Sequence, residues 1–234
     1  IQLEEEKKLK QFNTKNSFDL KLNQKNLNCV LFKKDNNEYY VFNLQTIILK
    51  RPYYIMKLCK SCKECVPIRV PVENFAAKRR HRRILNKNSQ ICVSKVNPFF
   101  STEHFNLYAK YISFRHKSGA INTPTVKQYK DFLVEGRQET NFYEYREDGI
   151  LLAISVTDSL TDGISAVYNF YDPELSSRGL GIFMILSLIE ETIKQNKRFL
   201  YIGYWIKECK KMSYKNQFDP SEHLIDGKWI IDKG

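Results

Sequence analysis

The sequence has 234 residues, 42% of them hydrophobic, and a formal net charge of +12. This hydrophobic content supports folded cores and excludes wholesale disorder, and no apolar run reaches the ~20 residues of a membrane span. The positive charge predicts a polyanionic partner, with nucleic acid the first candidate and an anionic membrane surface the second. Lysine enrichment from a biased genome is the alternative, but the clustered arginines favour a binding surface.

The six cysteines are too few for a disulfide scaffold in a chain of this length, and three of them lie in one short segment. This distribution favours a reducing, cytoplasmic compartment. We predict a small α+β N-terminal domain over residues 1–97 and a larger domain over 98–234, with the boundary at Asn97–Pro98. In the first domain, apolar segments at 28–32 and 39–42 flank a turn-prone stretch and predict a β-hairpin.

The cysteine cluster of the first domain reads Cys59-Lys-Ser-Cys62-Lys-Glu-Cys65. Thiolates separated by two residues can share one metal, so zinc and an iron–sulfur cluster are the candidate occupants. The fourth ligand stays open between Cys29, Cys92 and a residue upstream of Ile1. Three ordinary thiols in a turn are the alternative.

A basic segment at residues 74–88 contains no acidic residue. On a helix, its apolar residues Phe75, Ile84 and Leu85 face a core. Solvated helix faces usually mix both signs of charge, so a run of one sign predicts phosphate binding. The arginines that we assign to this contact are Arg79, Arg80, Arg82 and Arg83. An ordinary basic surface helix is the alternative.

The second domain alternates helices and strands in an order that predicts a mixed sheet. Apolar residues at helical spacing predict amphipathic helices over 102–114 and 125–134. The predicted strands cover 141–146, 150–156, 164–171 and 199–205. Between the last two strands, Gly179-Leu-Gly181 opens a helix.

The order strand, glycine turn, helix, strand is that of the donor-binding core of an acetyltransferase-like, GNAT-type fold. In that core, backbone N–H groups at the helix N-terminus hold phosphate, and glycines let the backbone approach a ligand. The predicted class is therefore α+β, with a GNAT-type mixed-sheet catalytic domain behind the smaller cysteine-bearing domain. A plain helix start is the alternative for the Gly-Leu-Gly turn.

Several longer strings stand out across residues 59–218. They are Cys62-Lys-Glu-Cys-Val-Pro-Ile-Arg69, Val156-Thr-Asp158, Asp162-Gly163, Val167-Tyr168, Phe170-Tyr-Asp-Pro173, Gly179-Leu-Gly181 and Tyr201-Ile-Gly-Tyr-Trp-Ile206, followed by Cys209, Lys211-Met212 and Tyr214-Lys215. In these strings the chain resembles the aminoacyl-tRNA–protein transferases, most closely their bacterial leucyl branch and more distantly the arginyl type. It departs from that family in lacking a Cys-Pro-Tyr-like start and in having Arg178-Gly-Leu-Gly181 where a Ser-Leu-Gly turn is common.

The resemblance implies transfer of an amino acid, leucine in the leucyl branch, from aminoacyl-tRNA to an acceptor protein with N-terminal Asp or Glu. The transfer marks that acceptor for degradation. The resemblance also implies an acetyltransferase-like domain that works without coenzyme A. An aminoacyl ester is already activated, so its attack by an amine requires no ATP or metal, and an α-amino pKa of about 8 leaves a usable neutral fraction. Holding amine and ester together then supplies most of the rate.

For this reaction, Asp172 is the candidate that binds and orients the acceptor ammonium. The candidate oxyanion donors or proton relays are Tyr168, Tyr171 and Tyr204. Trp205 can stack on the terminal adenosine. The remaining candidate contacts to tRNA or substrate are Arg178, Gly179, Gly181, Lys207, Lys210, Lys211, Tyr214 and Lys215. Packing tyrosines, a plain turn at Asp172-Pro173 and solvated lysines are the alternatives.

Three other functions stay open at this point. The chain can be an arginyl-tRNA–protein transferase, or an acetyl-coenzyme A-dependent N-acetyltransferase, which the Gly-Leu-Gly turn permits. The charge of +12 and the arginine run exceed what coenzyme A requires. A non-catalytic, metal-stabilised RNA-binding protein is the third alternative.

Overall fold

The computed structural model describes residues 19–22, 29–34, 38–43, 65–115, 124–135, 139–207 and 209–231. The chain divides into two compact units, Ile1–Lys63 and Glu64–Gly234. The boundary expected at Asn97–Pro98 therefore falls inside the second unit, because strands on both sides of it share one sheet.

The first unit contains a three-stranded antiparallel sheet in the order β1-β2-β3. Its strands are β1 (Asp19–Leu22), β2 (Cys29–Lys34) and β3 (Glu38–Asn43). The hairpin predicted from the two apolar segments is confirmed as β2 and β3. Two members of the cysteine cluster, Cys59 and Cys62, lie outside the described residues.

The second unit is built on an eight-stranded mixed sheet in the order β11-β10-β4-β9-β8-β7-β6-β5. Its strands are β4 (Val66–Pro71), β5 (Cys92–Val96), β6 (Thr140–Glu147), β7 (Ile150–Ser159), β8 (Gly163–Tyr171), β9 (Phe199–Trp205), β10 (Glu222–Ile225) and β11 (Lys228–Ile231). All neighbours pair antiparallel except β8 and β9, which are parallel. The predicted α+β class and mixed sheet are confirmed.

Helices cover both faces of this sheet. They are α1 (Arg79–Lys87), α2 (Thr102–Arg115), α3 (Val126–Tyr129), which continues as a π-helical turn over Lys130–Val134, and α4 (Leu180–Lys194). Three 3₁₀ segments join them: η1 (Val72–Asn74), η2 (Pro173–Arg178) and η3 (Lys210–Gln217). One core lies around Met184 and Leu200, and a second lies around Tyr129 and Phe170.

Helix α2 is fastened to β6 by a chain of charged groups. His104 Nε2 lies 2.7 Å from Glu144 Oε1, and Arg146 Nε donates to Glu144 Oε2 at 2.7 Å. Arg146 also donates to Glu103 Oε2 at 2.6 Å. Burial opposes ionisation of Glu144, but hydrogen bonds from Arg146 and His104 outweigh it and hold the pKa of Glu144 below its usual value. This network fixes the position of α2 above the sheet.

The sheet opens between β8 and β9. The two strands pair at only three positions, Gly163↔Phe199, Ile164↔Leu200 and Ser165↔Tyr201. Both continue beyond these pairs, to Tyr171 and Trp205, without further pairing to each other. Paired strands lie about 4.8 Å apart, so the end of pairing leaves a gap towards the carboxyl ends of the two strands. We call this opening the β8–β9 gap.

Gly163 sets the closed end of the gap, and we expect Gly163→Ala to destabilise the protein by about 2–3 kcal/mol, because the added methyl overpacks a closed strand pair. A Cβ at this position would lie 2.3 Å from the Phe199 carbonyl oxygen. Urea denaturation measures the effect. Gly181→Ala adds the same methyl in a helix and serves as the control. A Gly163→Ala midpoint equal to that of the wild type would contradict the close approach of the two strands.

Candidate active site

The first wall of the β8–β9 gap is the end of β8. Asp172 follows the strand directly, and its N–H donates to the Leu152 carbonyl at 2.9 Å. Its carboxylate accepts the Glu174 N–H at 3.0 Å and so caps η2. The same carboxylate lies 2.8 Å from the ammonium of Lys110 on α2. Asp172 is thus a held, ion-paired carboxylate, with 24% of its side chain still exposed.

Two glycines carry the chain from this wall into α4. Gly179 is left-handed, with φ of 70°, and a Cβ there would lie 3.3 Å from the Ile84 side chain. Gly181 stands in the first helical turn, where a Cβ would lie 3.4 Å from the Tyr171 ring. Because the N-cap residue has no side chain, no side-chain cap covers the first turn of α4. Such a helix start offers N–H groups to an anion.

The two glycines predict opposite stability changes. Gly181→Ala should stabilise α4 by about 0.5–1 kcal/mol, because alanine favours the helix and 3.4 Å is ordinary contact. Gly179→Ala should destabilise by about 1–2 kcal/mol, because its φ of 70° strains any L side chain. If a donor backbone approaches α4 here, Gly181→Ala will also lower transfer activity. Calorimetry beside a donor-dependent rate separates the two effects, and unchanged activity would remove Gly181 from the donor site.

Arg178 is engaged within the fold rather than directed at a ligand. Its Nη1 and Nη2 donate to the two Glu147 oxygens at 2.7 and 2.8 Å, and its Nε donates to Asn88 at 2.9 Å. The side chain is 16% exposed. This bidentate ion pair fixes η2 against the β6–β7 hairpin, which accounts for Arg178 without the phosphate contact expected of it.

The second wall is the end of β9. The Tyr204 carbonyl accepts a hydrogen bond from the Lys215 ammonium. Gly203 beside it has φ of 79° and an exposed backbone, and a Cβ there would lie 3.6 Å from Lys215 Nζ. A side chain at Gly203 would therefore contact the lysine nitrogen.

Lys215, a predicted contact to tRNA or substrate, is buried, with 8% exposure, and is not the solvated lysine of the alternative. Burial removes water from the ammonium and lowers the pKa of Lys215 to about 8. A lysine in this range exists partly as the free amine near neutral pH, where an ordinary lysine does not. It can accept a proton at the working pH of an enzyme.

The three predicted tyrosines have different surroundings. Tyr168 packs edge-on against Tyr108 and Phe132, with ring centroids 6.1 and 5.6 Å away. Tyr171 packs against Tyr111 of α2, with centroids 5.1 Å apart, and lies over the start of α4. Tyr204 is half-buried on the opposite wall. The structure therefore places Tyr171 and Tyr204 on the two walls and Tyr168 in the aromatic core under α2 and α3.

Helix α1 connects the two walls. At its C-terminal end, Lys87 Nζ donates to the Ser177 carbonyl at 2.9 Å and Asn88 donates to the Arg178 carbonyl at 3.0 Å. At its N-terminal end, the buried His81 ring stacks on Phe218, which ends η3, with centroids 5.5 Å apart. An ion pair between Lys78 and Asp219 strengthens that end. The helix is thus held by η2 on one side and by the segment carrying Lys215 on the other.

The arginines of α1 face solvent. Arg79, Arg80, Arg82 and Arg83 are all exposed. Within the described part of the chain, none of the four has a carboxylate partner. The predicted core contacts of Phe75, Ile84 and Leu85 are confirmed. The arginines therefore form one cationic face directly beside the gap, which suits a row of phosphates.

The remaining predicted residues are placed as follows. Trp205 is half-buried, with its ring 5.1 Å from that of His223, and Tyr214 is exposed. The side chains of Lys210 and Lys211 are outside the described set. Cys65 is half-buried at the start of β4, while Cys92 lies in β5 at the far edge of the sheet. Among the residues with described side chains, no group of three or more His, Cys, Asp or Glu could hold a metal.

Sequence reasoning missed Lys110 and His81 as parts of the site. Lys110 carries no signal of its own, because it is one polar residue on an amphipathic helix. His81 was interpreted only as part of the basic run, although it occupies the helical face of Ile84 and Leu85, three and four residues later.

None of the helices among the described residues combines the length and hydropathy needed to cross a bilayer.

The chain is similar to known proteins over most of its length. The family described as arginine-tRNA-protein transferase, C terminus, matches residues 103–225. The aspartate/glutamate leucyltransferase of Alcanivorax borkumensis is 47% identical over 171 residues, covering 73% of this chain and 71% of its own. Relatives with the same name from Pseudomonas fluorescens and Hahella chejuensis are 46% and 43% identical; they cover 74% and 76% of this chain and the same shares of their own lengths.

One solved structure supports the fold alone. The structure of L-PGS from Bacillus licheniformis aligns with a TM-score of 0.50 at 15% identity. The alignment covers 65% of this chain and 49% of that chain, so this chain matches about half of the other protein.

Proposed function

Because the chain belongs to the aspartate/glutamate leucyltransferase family, we propose that it transfers leucine from leucyl-tRNA to the α-amino group of proteins that begin with Asp or Glu. The observation that carries the proposal is the β8–β9 gap, with Asp172 on one wall, Lys215 on the other and the arginine helix joining them. This arrangement meets the two needs of the reaction, an anchor for tRNA phosphates and a place where amine and ester meet.

The aminoacylated end of the tRNA binds in the β8–β9 gap. The acetyltransferase-like fold, which the open strand pair resembles, binds its acyl donor in the corresponding place. Phosphates of the acceptor stem lie along the exposed arginines of α1. The first turn of α4, free of side chains at Gly179 and Gly181, receives the phosphate nearest the terminal nucleotide. Trp205 at the mouth of β9 stacks on the terminal adenosine.

The chemistry is aminolysis of an ester. The neutral acceptor amine attacks the leucyl carbonyl carbon and forms the C–N bond, the carbonyl oxygen becomes the oxyanion, and the nitrogen gains a positive charge. Neutral Lys215 accepts a proton from that nitrogen. The C–O bond to the ribose then breaks, and the ribose oxygen leaves with a proton returned by Lys215. Proton transfer by a positioned base contributes about 10²–10⁴-fold.

The walls supply orientation and hydrogen bonds. Asp172 binds the incoming ammonium before it loses its proton, which keeps the nitrogen beside the gap. Tyr171 and Tyr204 stand on opposite walls, and their hydroxyls are the donors that stabilise the oxyanion. None of these steps calls on a cofactor. A zinc ion or iron–sulfur cluster bound by Cys59, Cys62 and Cys65 would have a structural role and take no part in the transfer.

The product is a protein with a new N-terminal leucine, and we assign to it the role of a degradation mark. We expect the reaction to take place in the cytoplasm, where charged tRNA is found. Both assignments rest on the chemistry of the donor and on the family.

A donor and acceptor matrix tests the proposal. The full chain is incubated with radiolabelled Leu-, Arg- and Phe-tRNA and with peptides that begin with Asp, Glu or Ala. We expect label from Leu-tRNA on the Asp and Glu peptides only. Label from Arg-tRNA alone would assign the arginyl reaction instead. Acetylation of the same peptides by acetyl-coenzyme A, without transfer from any tRNA, would overturn the proposal.

A further inference from the structure

At the end of β8, Lys110 forms ion pairs with two carboxylates, those of Asp172 and Glu174. Lys110 Nζ lies 2.8 Å from Asp172 Oδ1 and 3.0 Å from Glu174 Oε2. Lys110 is 39% exposed, Asp172 24% and Glu174 76%. One ammonium therefore bridges two carboxylates, and one of these is largely in solvent.

The side chains of Asp172, Lys110 and Glu174 differ in how many contacts fix their positions. Asp172 is fixed by its own N–H bond to Leu152 and by its cap to Glu174 N–H. Lys110 stands on α2, which the Glu144–Arg146–Glu103 network ties to β6 and the Tyr111 contact ties to Tyr171. The Glu174 side chain meets the lysine from solvent. It is the partner most easily exchanged, because an exposed ion pair contributes little.

We propose that Lys110 selects the acidic acceptor by exchanging its carboxylate partner for the side chain of the N-terminal Asp or Glu. This deepens the proposed transfer and rests on it. An N-terminal Asp or Glu carries an ammonium and a side-chain carboxylate close together, the reverse image of the Asp172–Lys110 pair. On binding, its ammonium takes Asp172 and its carboxylate takes Lys110 in place of Glu174.

The exchange explains how the site distinguishes acceptors with an acidic N-terminal residue from those with a neutral one. An acidic N-terminus brings one positive and one negative group, so both Asp172 and Lys110 remain paired. An N-terminal Asn or Gln brings only the ammonium, so Lys110 keeps Glu174 as its partner and makes no contact with that substrate. Only an acidic N-terminus gains the charge-assisted hydrogen bond to Lys110, and the site discriminates by that contact.

The test is an acceptor panel on Lys110 variants of the full chain. Peptides that differ only in their first residue, Asp, Asn or Lys, are used at saturating Leu-tRNA. For Lys110→Met we expect kcat/KM for the Asp peptide to fall by about 10–100-fold, as removal of a charge-assisted hydrogen bond predicts. The Asn peptide should stay within about threefold and KM for Leu-tRNA should not change. Lys110→Glu should gain activity on the Lys peptide.

The control is Lys127→Met on neighbouring α3, an exposed lysine that pairs with Asp131. It should leave the ratio of Asp to Asn activity unchanged. If Lys110→Met lowers all peptides equally and keeps that ratio, Lys110 is a structural strut and the inference is wrong. A wild-type protein that transfers no leucine would overturn the proposed function itself, and the two failures are therefore distinguishable. Thermal unfolding of each variant checks that the fold is retained.

Discussion

Lys215→Met is expected to lower kcat/KM for leucyl transfer by about 10²–10⁴-fold, the contribution of a positioned general base. The lysine is buried, reaches the Tyr204 carbonyl at the mouth of the β8–β9 gap and has a pKa lowered to about 8 by burial. Methionine has a similar length and no charge. The variant removes a desolvated ammonium, so the fold should survive, and a urea titration beside the assay confirms it.

The pH profile distinguishes a base from a simple cation. The attacking α-amine has a pKa of about 8, and Lys215 has one of about 8. If both must be neutral, log kcat/KM rises with a slope near two below about pH 7 and levels off above both pKa values. In Lys215→Met only the amine titrates, so the slope should fall to one. Spontaneous ester hydrolysis, measured without peptide, is subtracted at each pH.

Two outcomes would contradict this role. A rate that declines above about pH 8 would show that the charged lysine is the active form. A slope that stays at two in the methionine variant would remove Lys215 from proton transfer. The control is Lys228→Met, an exposed lysine at the start of the edge strand β11, which should leave both the rate and the slope unchanged.

The second large effect concerns α1. Replacing Arg79, Arg80, Arg82 and Arg83 with glutamine should weaken Leu-tRNA binding at least about 100-fold near physiological salt. The slope of log K against log salt should flatten by about one unit for each phosphate that the helix no longer neutralises. The reason is that these four side chains are exposed and have no carboxylate partner among the described residues. Equilibrium binding across a salt series measures both quantities.

A control variant with four lysines replaced by glutamine loses the same net charge as the arginine variant. Lys95, Lys127, Lys194 and Lys228 are exposed lysines elsewhere in the second unit, and their replacement by glutamine removes the same four charges. That variant should bind tRNA with nearly the wild-type salt slope. Equal losses of affinity in both variants would reduce the role of α1 to general attraction, and an unchanged slope in the arginine variant would take the helix out of the tRNA interface.

The elements of the second unit were largely predictable from periodicity. Helix α2 and strands β8 and β9 follow the predicted ranges to within a residue or two, because their apolar spacing is regular. The β10–β11 hairpin was missed, although Asp226-Gly227 between two apolar runs is a strong turn signal and both residues have positive φ. The insertion of β4 between β9 and β10 is a long-range pairing that local patterns do not encode.

The sequence analysis predicted which residue types lie near the candidate site, but it did not predict their burial or their hydrogen-bond partners. Asp172 follows β8, Gly179 precedes α4 and the α1 arginines are exposed, as the motifs indicated, and their roles stay predictions. The burial of Lys215 was not predictable, because it depends on how η3 folds against the end of β9, where the ammonium meets the Tyr204 carbonyl. Arg178 likewise depends on Glu147, across the sheet. Two lysines or two arginines cannot be told apart in the sequence. Their solvent exposure and their partners differ only once tertiary contacts have formed.

Photocrosslinking of the donor end tests the central claim most directly. Leu-tRNA carrying a photoreactive azidoadenosine as its terminal nucleotide is bound to the full chain, irradiated and mapped by mass spectrometry. Label should fall on peptides from the ends of β8 and β9, within residues 166–181 and 202–218, and excess unmodified Leu-tRNA should suppress it. Label confined to the opposite face of α4, around Glu190 and Lys194, with none at the gap, would contradict the account.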